Sequence, residues 1–521
     1  MKSSVEALLA LSLLAVVTVA AACSGGGGGG GDDDDDDVLP TPERPGFVVM
    51  RLDTMLSIAA ADGSDLVDLT TGPDGEKSLV GFTTNDRVLY MVKSAVSSTA
   101  GDLWIVGVDG ANNQLLAADV YGVNGWADPT HLLFTRGPGP ELVFPPKRDL
   151  FVVSMDGDEA ALANTLEDET FAGQLGTTVV FIRGVANSNA NLFAIGFDQG
   201  TEAPLTSDGG PKSVVGFTSS NRVVYKTGSP ADVYAVNLTG GAPDALATRP
   251  EAEDVAAILG TRIVILVVIP TMDASESDLY AVDDDGGNEA TLAATPDFPE
   301  TIAGITDSNL ALVLRQTSFD PPAFELVSIT LAGAQETPLA DLTNGGVLAI
   351  DGETVVYSSG GAGAGDIFAI ESDGTGLRTL ADDASDDFFL AFENGHVLFR
   401  SGTPEKVWSV DIDGGNPETL RDDASTDTFN VALGPITVMT IVGAGNKTDL
   451  VAASTAGGNL RTLATDEDTE SYRGITPDGR VIYTLNQGVF LDDVLIVNGD
   501  GTGTVNLTNR ADEDEFLGFL P

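Results

Sequence analysis

The sequence predicts an all-β fold built from many short antiparallel strands, and three observations point to it. Of the 521 residues, 42% are hydrophobic, which is ample for a buried core. The 61 glycines and 25 prolines occur along the whole chain, as expected for a structure with many turns and few long helices. From Phe47 onward, one pattern of short apolar runs bounded by turn residues recurs.

The recurring pattern is a strand followed by a tight turn. Residues 102–110 read Asp-Leu-Trp-Ile-Val-Gly-Val-Asp-Gly, and residues 149–157, 366–374 and 406–414 follow the same pattern. Successive units start 40 to 47 residues apart, which is the length of one four-stranded blade in a β-propeller. The eleven units begin at Met55, Asp102, Asp149, Asn191, Asp232, Asp278, Glu325, Asp366, Lys406, Asp449 and Asp493.

Each unit also has an upstream half that supplies two more strands. In one unit, residues 79–83 form an apolar run that leads through a turn to Arg87–Tyr90. The Asp-Gly and Gly-Gly pairs between the last two strands suit hairpin turns that need positive φ. We therefore expect four antiparallel strands per blade. Asp283–Gly286 and Asp411–Gly414 are interpreted as such turns, because neither continues into a calcium-binding loop.

The motif Asp-[Leu/Ile]-[Trp/Phe/Tyr]-x-[Val/Ile]-x-x-Asp-Gly, followed by Leu-[Thr/Ala], resembles the TolB-like, WD40-like (PD40) propeller repeat. The resemblance covers nearly all of residues 47–521. It implies a β-propeller of about eleven four-stranded antiparallel blades. Trp104, Trp126 and Trp408 occupy aromatic positions of this repeat, so we expect them to pack between blades.

The two ends of the repeat region complement each other. The first unit, from Phe47, lacks a first strand, because the preceding segment 38–46 is Pro-rich. The last segment, Glu515–Leu520, looks like a first strand with no blade after it. Pairing of these terminal strands would close the propeller and remove its open edges. Eleven blades exceed the roughly four to eight usual in one ring, so the sequence leaves open one large ring or two linked rings.

The N-terminal region has the pattern of a bacterial lipoprotein. Residues 1–22 have an apolar core of signal-peptide length and end in three alanines before Cys23, which resembles a lipobox with Cys23 as the lipidated residue. The alternative is an ordinary secretory signal with a chance cysteine. Residues 23–46 then form a Gly-, Asp- and Pro-rich tether. By analogy with lipoprotein sorting, Ser24 favours the outer membrane, on its periplasmic face or at the cell surface.

Composition excludes several classes of function. The formal net charge of −54 repels phosphate backbones, so no nucleic-acid partner is expected, and membrane attachment must come from the lipid anchor alone. Cys23 is the single cysteine, which excludes disulfides and thiol catalysis. With two histidines in the chain, a zinc or copper site is not expected. We therefore predict no metal and no cofactor.

The sequence offers no recognisable catalytic motif. His131 and His396 each begin a second strand of a different unit, at the position that Arg87 occupies in its own unit, so they are interpreted as blade-edge residues. No Gly-x-Ser-x-Gly elbow and no phosphate-binding glycine loop are present. The plentiful acids leave a carboxylate-pair hydrolase or lyase open.

The connections between second and third strands are the candidate binding surface. Arg136–Pro146, 269–277 and Gln316–Phe324 are long and carry apolar residues. Exposed aromatic and proline side chains on stiff loops suit protein recognition, although length variation on a rigid scaffold is the plain alternative. The candidate binding residues are Arg136, Pro138, Pro140, Phe144, Pro145, Phe319 and Phe324.

These inferences together predict an envelope-anchored, non-catalytic interaction platform that binds a protein or peptide on its loop-rich face. The alternative is a propeller that binds glycan or peptidoglycan, with or without carboxylate-based cleavage.

Overall fold

The computed structural model describes residues 46–520 except for short internal segments, so the predicted signal peptide, Cys23 and most of the tether lie outside the described residues. The internal gaps are 53–54, 65, 71–73, 84, 94–99, 138–146, 186–188, 271–274, 296–297, 334, 362–363, 383–386, 403–404, 423–426, 443–446, 459, 466–467, 487–491 and 509–513.

The described residues form strands and turns without a helix, arranged as nine four-stranded sheets and one seven-stranded sheet. Sheet 1 contains β1 (Phe47–Leu52), β2 (Met55–Ala60), β3 (Val67–Asp68) and β43 (Asp514–Leu520), in the order β3-β2-β1-β43. Sheet 2 contains β4 (Glu76–Phe82), β5 (Arg87–Lys93), β6 (Gly101–Gly107), β7 (Gln114–Asp128), β8 (His131–Arg136), β9 (Asp149–Ser154) and β10 (Glu159–Ala163).

Sheets 3 to 10 each contain four strands that are consecutive in the chain and antiparallel to their neighbours. Their strands are β11 (Glu169–Leu175), β12 (Thr178–Val185), β13 (Asn189–Gly196) and β14 (Ala203–Pro204) in sheet 3; β15 (Lys212–Phe217), β16 (Arg222–Thr227), β17 (Asp232–Asn237) and β18 (Asp244–Ala247) in sheet 4; β19 (Ala252–Leu259), β20 (Arg262–Pro270), β21 (Ser275–Asp283) and β22 (Ala290–Ala293) in sheet 5; β23 (Glu300–Ile305), β24 (Leu310–Phe319), β25 (Pro322–Thr330) and β26 (Glu336–Thr343) in sheet 6; β27 (Gly346–Asp351), β28 (Thr354–Gly361), β29 (Ala364–Glu371) and β30 (Arg378–Ala381) in sheet 7; β31 (Phe388–Glu393), β32 (His396–Ser401), β33 (Lys406–Asp411) and β34 (Glu418–Arg421) in sheet 8; β35 (Thr428–Leu433), β36 (Ile436–Val442), β37 (Thr448–Ser454) and β38 (Arg461–Ala464) in sheet 9; and β39 (Thr469–Ile475), β40 (Arg480–Asn486), β41 (Asp492–Asn498) and β42 (Val505–Asn506) in sheet 10.

The prediction of an all-β propeller with four-stranded antiparallel blades is confirmed. Sheet 2 has seven strands because the 15-residue β7 ends one copy of the repeat and begins the next. The last strand, β43, pairs with β1, with Phe47 opposite Leu520. The number of blades and the closure of the ring stay predictions.

The hairpin turns form where the sequence places Asp-Gly pairs. In the turn after β6, the Gly110 N–H donates to the Gly107 carbonyl at 2.9 Å, and Gly110 has a φ of 75°, which favours glycine. Asp109 accepts a hydrogen bond from the Ala111 N–H and so stabilises the turn. Asp283–Gly286 makes the same turn in sheet 5.

The hydrophobic core lies between successive sheets. One cluster contains Val180 and Leu192 from sheet 3 together with Val223 and Val236 from sheet 4, and all four are buried. Residues on both faces of a strand are therefore covered, one face by each neighbouring sheet. The three tryptophans pack against such clusters as predicted: Trp104, Trp126 and Trp408.

Candidate functional site

The two histidines lie at strand starts, in separate sheets. His131 begins β8, and its Nδ1 is 3.0 Å from an Asp128 carboxylate oxygen. His396 begins β32 and lies 2.9 Å from Asp411 in the same manner. Each histidine faces an acid of its own sheet, which fits the edge role that the sequence predicts.

The predicted binding loops are placed differently from expectation. Residues 316–324 are not a loop, because β24 and β25 continue as a paired hairpin through Phe319 opposite Pro322. Phe319 is 50% exposed and stacks on Phe298, whereas Phe324 is partly buried against the core. Arg136 ends β8 and binds other residues of its own sheet. Pro138, Pro140, Phe144 and Pro145 lie outside the described residues.

A cross-strand pair of aromatic rings recurs in several sheets, one ring from the second strand and one from the third; we call it the aromatic pair. In sheet 3 the pair is Phe181 and Phe193, with ring centroids 5.6 Å apart. Arg183 covers it, with its guanidinium carbon 5.3 Å from the Phe181 centroid and 4.3 Å from the Phe193 centroid. This distance and geometry are typical of a cation–π contact.

Two carboxylates hold Arg183 over the rings. Its terminal nitrogens donate to both oxygens of Glu202 at 2.8 and 2.7 Å, and its Nε donates to Glu169 at 3.1 Å. Glu169 is fully buried, and burial raises the pKa of its carboxyl group. We call Arg183, Glu169 and Glu202 the arginine brace.

The same arrangement occurs in the second half of sheet 2. Arg136 lies 5.4 Å from the Phe134 ring centroid and 4.6 Å from the Phe151 centroid. Its terminal nitrogens donate to both oxygens of Glu159 at 2.7 and 2.8 Å. The carbonyl oxygen of Ala118 takes the place of the buried carboxylate. An internal guanidinium therefore fills this position in two neighbouring copies of the repeat.

Sheet 4 keeps the aromatic pair but changes every residue of the brace. Tyr225 and Tyr234 stack with centroids 5.8 Å apart. Thr227 takes the position of Arg183, because its strand partner is Lys212 in the register that joins Arg183 to Glu169. Pro243 takes the position of Glu202, because each directly precedes the residue that pairs with the third-strand alanine.

A cavity of about 370 Å³ lies over the two tyrosine rings. Its lining includes Thr227 and Pro243, which replace the arginine and glutamate of the brace, together with Asp208 from the preceding connection. We call this space the tyrosine cavity. It forms where the brace is missing, because threonine and proline are too short to cover the rings.

The charges around the tyrosine cavity are mostly negative. Burial raises the pKa of Tyr225, and the charge of Asp208 raises it further. Burial also raises the pKa of Tyr234, and the negative charges of Asp232, Asp208 and Glu253 raise it further. Within the described residues neither tyrosine hydroxyl has a hydrogen-bond partner.

Lys212 is a positive group that contacts two lining residues of the tyrosine cavity, Asp208 and Thr227. Its side chain is fully buried, and its ammonium donates to Asp208, to the Gly209 carbonyl and to Thr227 at 3.0 to 3.1 Å. Three acceptors satisfy its three N–H groups. Asp208 is 59% exposed, so the face of its carboxylate that Lys212 does not contact remains open to solvent.

This site was missed in the sequence. The signal was present, because Arg136, Arg183 and Arg315 occupy one position of the repeat and Thr227 stands at the same position. Alignment of the units position by position would have shown it. What the sequence did not show is that the third partner, Glu159 or Glu202, belongs to the same cluster.

A second cavity, of about 500 Å³, lies between the first strands of sheets 8 and 9. Phe388 and Phe429 line it, and Arg400 at its edge donates to the Asp427 carbonyl at 2.8 Å and contacts Glu405. Residues 383–386, 403–404 and 423–426, which are near the lining residues in sequence, lie outside the described residues.

No group of three or more His, Cys, Asp and Glu side chains in the described parts of the chain could hold a metal ion. Nor does the described region contain a helix long and apolar enough to cross a membrane.

Comparisons with known proteins add information about the fold. No protein-family model matches the chain, and no curated protein is similar to it in sequence. Among solved structures, the tricorn protease is 11% identical with a TM-score of 0.29, and 90% of this chain covers 58% of that one. Dipeptidyl peptidase 4 of Porphyromonas gingivalis is 13% identical with a TM-score of 0.36, and the match covers 80% of this chain and 65% of that one. A eukaryotic initiation factor is 12% identical with a TM-score of 0.41, and the match covers 92% of this chain and 98% of that one.

These comparisons contradict the predicted non-catalytic interaction platform and the prediction that the chain is not an enzyme. Several of the similar solved structures are peptidases. The prediction was wrong because it took the absence of a catalytic motif within the repeats as evidence against catalysis, although a propeller can serve a catalytic protein. The chain spans about three fifths of the length of the first peptidases that it matches. At these identities the likeness shows the fold alone.

Proposed function

We propose that the tyrosine cavity of sheet 4 binds an organic cation. The observation that carries the proposal is the arginine brace in sheet 3, where an arginine of the chain itself occupies the equivalent space. Stacked rings, an open carboxylate and a water-accessible cavity are the features by which proteins bind ammonium and guanidinium groups.

The charge of the molecule supports a cationic ligand. The chain carries a formal net charge of −54, which raises the local concentration of cations and speeds their arrival. At the cavity itself, Asp208 and Asp232 outweigh Lys212, and their charges raise the pKa values of the tyrosines. An anionic ligand would meet repulsion at both scales.

Calorimetric titration of the full chain with agmatine, which carries a guanidinium and an ammonium group, tests this proposal. Tyr234→Val removes the partly exposed ring and introduces a residue that the repeat already uses at this position, Val327 in sheet 6. We expect Tyr234→Val to weaken binding about tenfold.

The matched control is Phe193→Val in sheet 3. It makes the same change at a ring that Arg183 already covers, so the affinity for agmatine should stay unchanged. Titrations at high salt, where the Debye length is only a few ångströms, suppress binding to the acidic surface. Equal affinities for the wild type and Tyr234→Val would contradict the proposal.

A further inference from the structure

We infer that the group bound in the tyrosine cavity is a guanidinium, as in arginine or agmatine, rather than an ammonium. This inference rests on the proposed function and adds the chemical class of the ligand. Two observations support it. In sheet 3 and in the second half of sheet 2 an arginine side chain of the protein itself lies over the equivalent rings, and hydrogen-bond acceptors surround the tyrosine cavity.

The internal arginines define where a bound guanidinium would lie. In both copies the guanidinium carbon is closer to the third-strand ring, at 4.3 Å from Phe193 and 4.6 Å from Phe151, than to the second-strand ring. Tyr234 is the third-strand ring of sheet 4. We therefore expect a bound guanidinium to lie mainly on Tyr234, with Tyr225 beneath.

The acceptors around the tyrosine cavity match a flat group with several donors. Asp208 offers the carboxylate oxygen that Lys212 does not bind, and the tyrosine hydroxyls, which make no hydrogen bond within the described residues, can also accept. In the brace, three of the five N–H groups of Arg183 donate to two carboxylates. A guanidinium can bond to Asp208 along one edge while its face lies on the ring.

An ammonium group fits this space less well for a physical reason. It is a compact, strongly hydrated charge, so it gives up more hydration on entering a cavity lined by rings and prolines. A guanidinium is planar and weakly hydrated, and it stacks on aromatic faces. The cavity is lined on several sides by Tyr225, Tyr234, Pro204 and Pro243, which accept no hydrogen bonds through their faces.

Lys212 sets a limit to the affinity but leaves the site open. Its ammonium donates to Asp208, Gly209 and Thr227, and within the described residues it makes no cation–π contact with either tyrosine. A second cation can therefore lie on Tyr234 without displacing it. Asp208 would then bind two cations at once. Sheet 6 shows the reverse case, in which one cation, Arg315, binds two carboxylates, Glu325 and Glu336.

Titration of the full chain with methylguanidinium and methylammonium tests the inference separately from the proposed function. We expect methylguanidinium to bind about tenfold more tightly. Equal or tighter binding of methylammonium overturns the guanidinium assignment and leaves the proposed function standing. If neither probe binds in a manner that depends on Tyr234, both fail.

The triple variant Lys212→Glu, Thr227→Arg and Pro243→Glu rebuilds the arginine brace in sheet 4. The new arginine should cover Tyr225 and Tyr234 and abolish methylguanidinium binding, with no loss of the folded state by thermal unfolding. Retained binding in this variant overturns the assignment of the site. If the triple variant fails to fold, Tyr234→Val alone gives the same decision.

Two further probes identify the source of the guanidinium. Agmatine represents a free small molecule, and a capped Gly-Arg-Gly peptide represents an arginine side chain within a polypeptide. Binding of either one that is lost in the triple variant supports the inference, and the tighter of the two names the source. Binding of neither overturns it.

Discussion

Sheets 3 and 4 are neighbours with the same strand order, the same register and the same stacked aromatic pair, yet one is closed and the other open. In sheet 3, Arg183 lies over the rings and two glutamates hold it. In sheet 4, Thr227 and Pro243 leave a cavity over Tyr225 and Tyr234. The repeat scaffold therefore specifies where a cation lies on the rings. Three side chains decide whether that cation is an arginine of the protein itself.

The two sheets also differ in how their buried charges are balanced. Glu169 in sheet 3 is fully buried and depends on Arg183 for a charged partner. Lys212 in sheet 4 is equally buried, but its partner Asp208 is 59% exposed. Loss of the cation therefore leaves a buried carboxylate without a charged partner in sheet 3, whereas in sheet 4 it leaves a carboxylate that water solvates.

The largest effect is expected from Arg183→Thr, which copies Thr227 into sheet 3. It leaves Glu169 buried without its cation and should lower the free energy of unfolding by about 3 kcal/mol. It also opens a cavity over Phe181 and Phe193, so guanidinium chloride at low concentration should raise the unfolding temperature of the variant relative to equal sodium chloride. Thermal unfolding in both salts measures this. If Arg183→Thr is destabilised and guanidinium does not raise its unfolding temperature, the space over the rings has collapsed, and the proposed equivalence of sheets 3 and 4 is contradicted.

Lys212→Met should cost less, about 1 kcal/mol, because Asp208 is left facing solvent rather than buried. The measurement is the urea unfolding midpoint of this variant beside that of Arg183→Thr. The same change removes a positive charge next to the tyrosine cavity, so the affinity for methylguanidinium should rise. A cost equal to that of Arg183→Thr would show that exposure of the partner is irrelevant.

A dependence of stability on pH is expected from the buried glutamates of the sheets on either side of sheet 4. Burial raises the pKa of Glu169 in sheet 3 and of Glu253 in sheet 5 above that of the unfolded chain. The folded state therefore holds protons that the unfolded state has released, and stability falls as pH rises through the folded-state pKa values. Glu253 faces Arg249 and Asp232, so its own contribution reflects both.

Glu253→Gln isolates this contribution, because the amide oxygen can still accept the hydrogen bond from the Arg249 N–H. Between pH 8 and pH 5 the wild type should gain more stability than the variant, and the variant should be the more stable of the two at pH 8. Denaturant unfolding at both pH values measures the difference. Parallel pH profiles would show that Glu253 keeps the same pKa on folding.

The smallest effect is expected from Asp208→Asn. Lys212 is fully buried, but the amide oxygen that this change introduces can still accept from its ammonium and its other two acceptors, Gly209 and Thr227, are unchanged, so the loss of stability should stay below about 1 kcal/mol. Methylguanidinium binding should weaken a few-fold, since the amide offers one acceptor instead of a carboxylate edge. An unchanged affinity would place the bound group on the tyrosines alone.

Much of the fold could be predicted because the repeat is encoded locally. The turn residues, the apolar runs and the 40- to 47-residue spacing specify strands and hairpins within each unit. Side-chain roles that depend on one strand were also predictable, such as His131 at the start of β8. The extended hairpin at 316–324 was missed, because pairing between β24 and β25 continues beyond the usual length of the repeat.

The functional site could not be predicted in the same way. Tyr225 and Tyr234 occupy aromatic positions that other units of the repeat also fill, and in sheets 2 and 3 an arginine covers the equivalent rings. Whether a ring is covered depends on side chains from a first strand, a second strand and the lead-in to a fourth strand. These are brought together by folding, up to 33 residues apart in the brace of sheet 3.

By itself, the sequence determined the class of fold, the four-stranded antiparallel units and the turns that separate them, because each depends on residues close together in the chain. Only the tertiary structure decided which aromatic pairs an arginine covers, and which carboxylates are buried or solvated when their cation is lost. The reason is that covering a ring or pairing a buried charge depends on distances of a few ångströms between side chains on different strands.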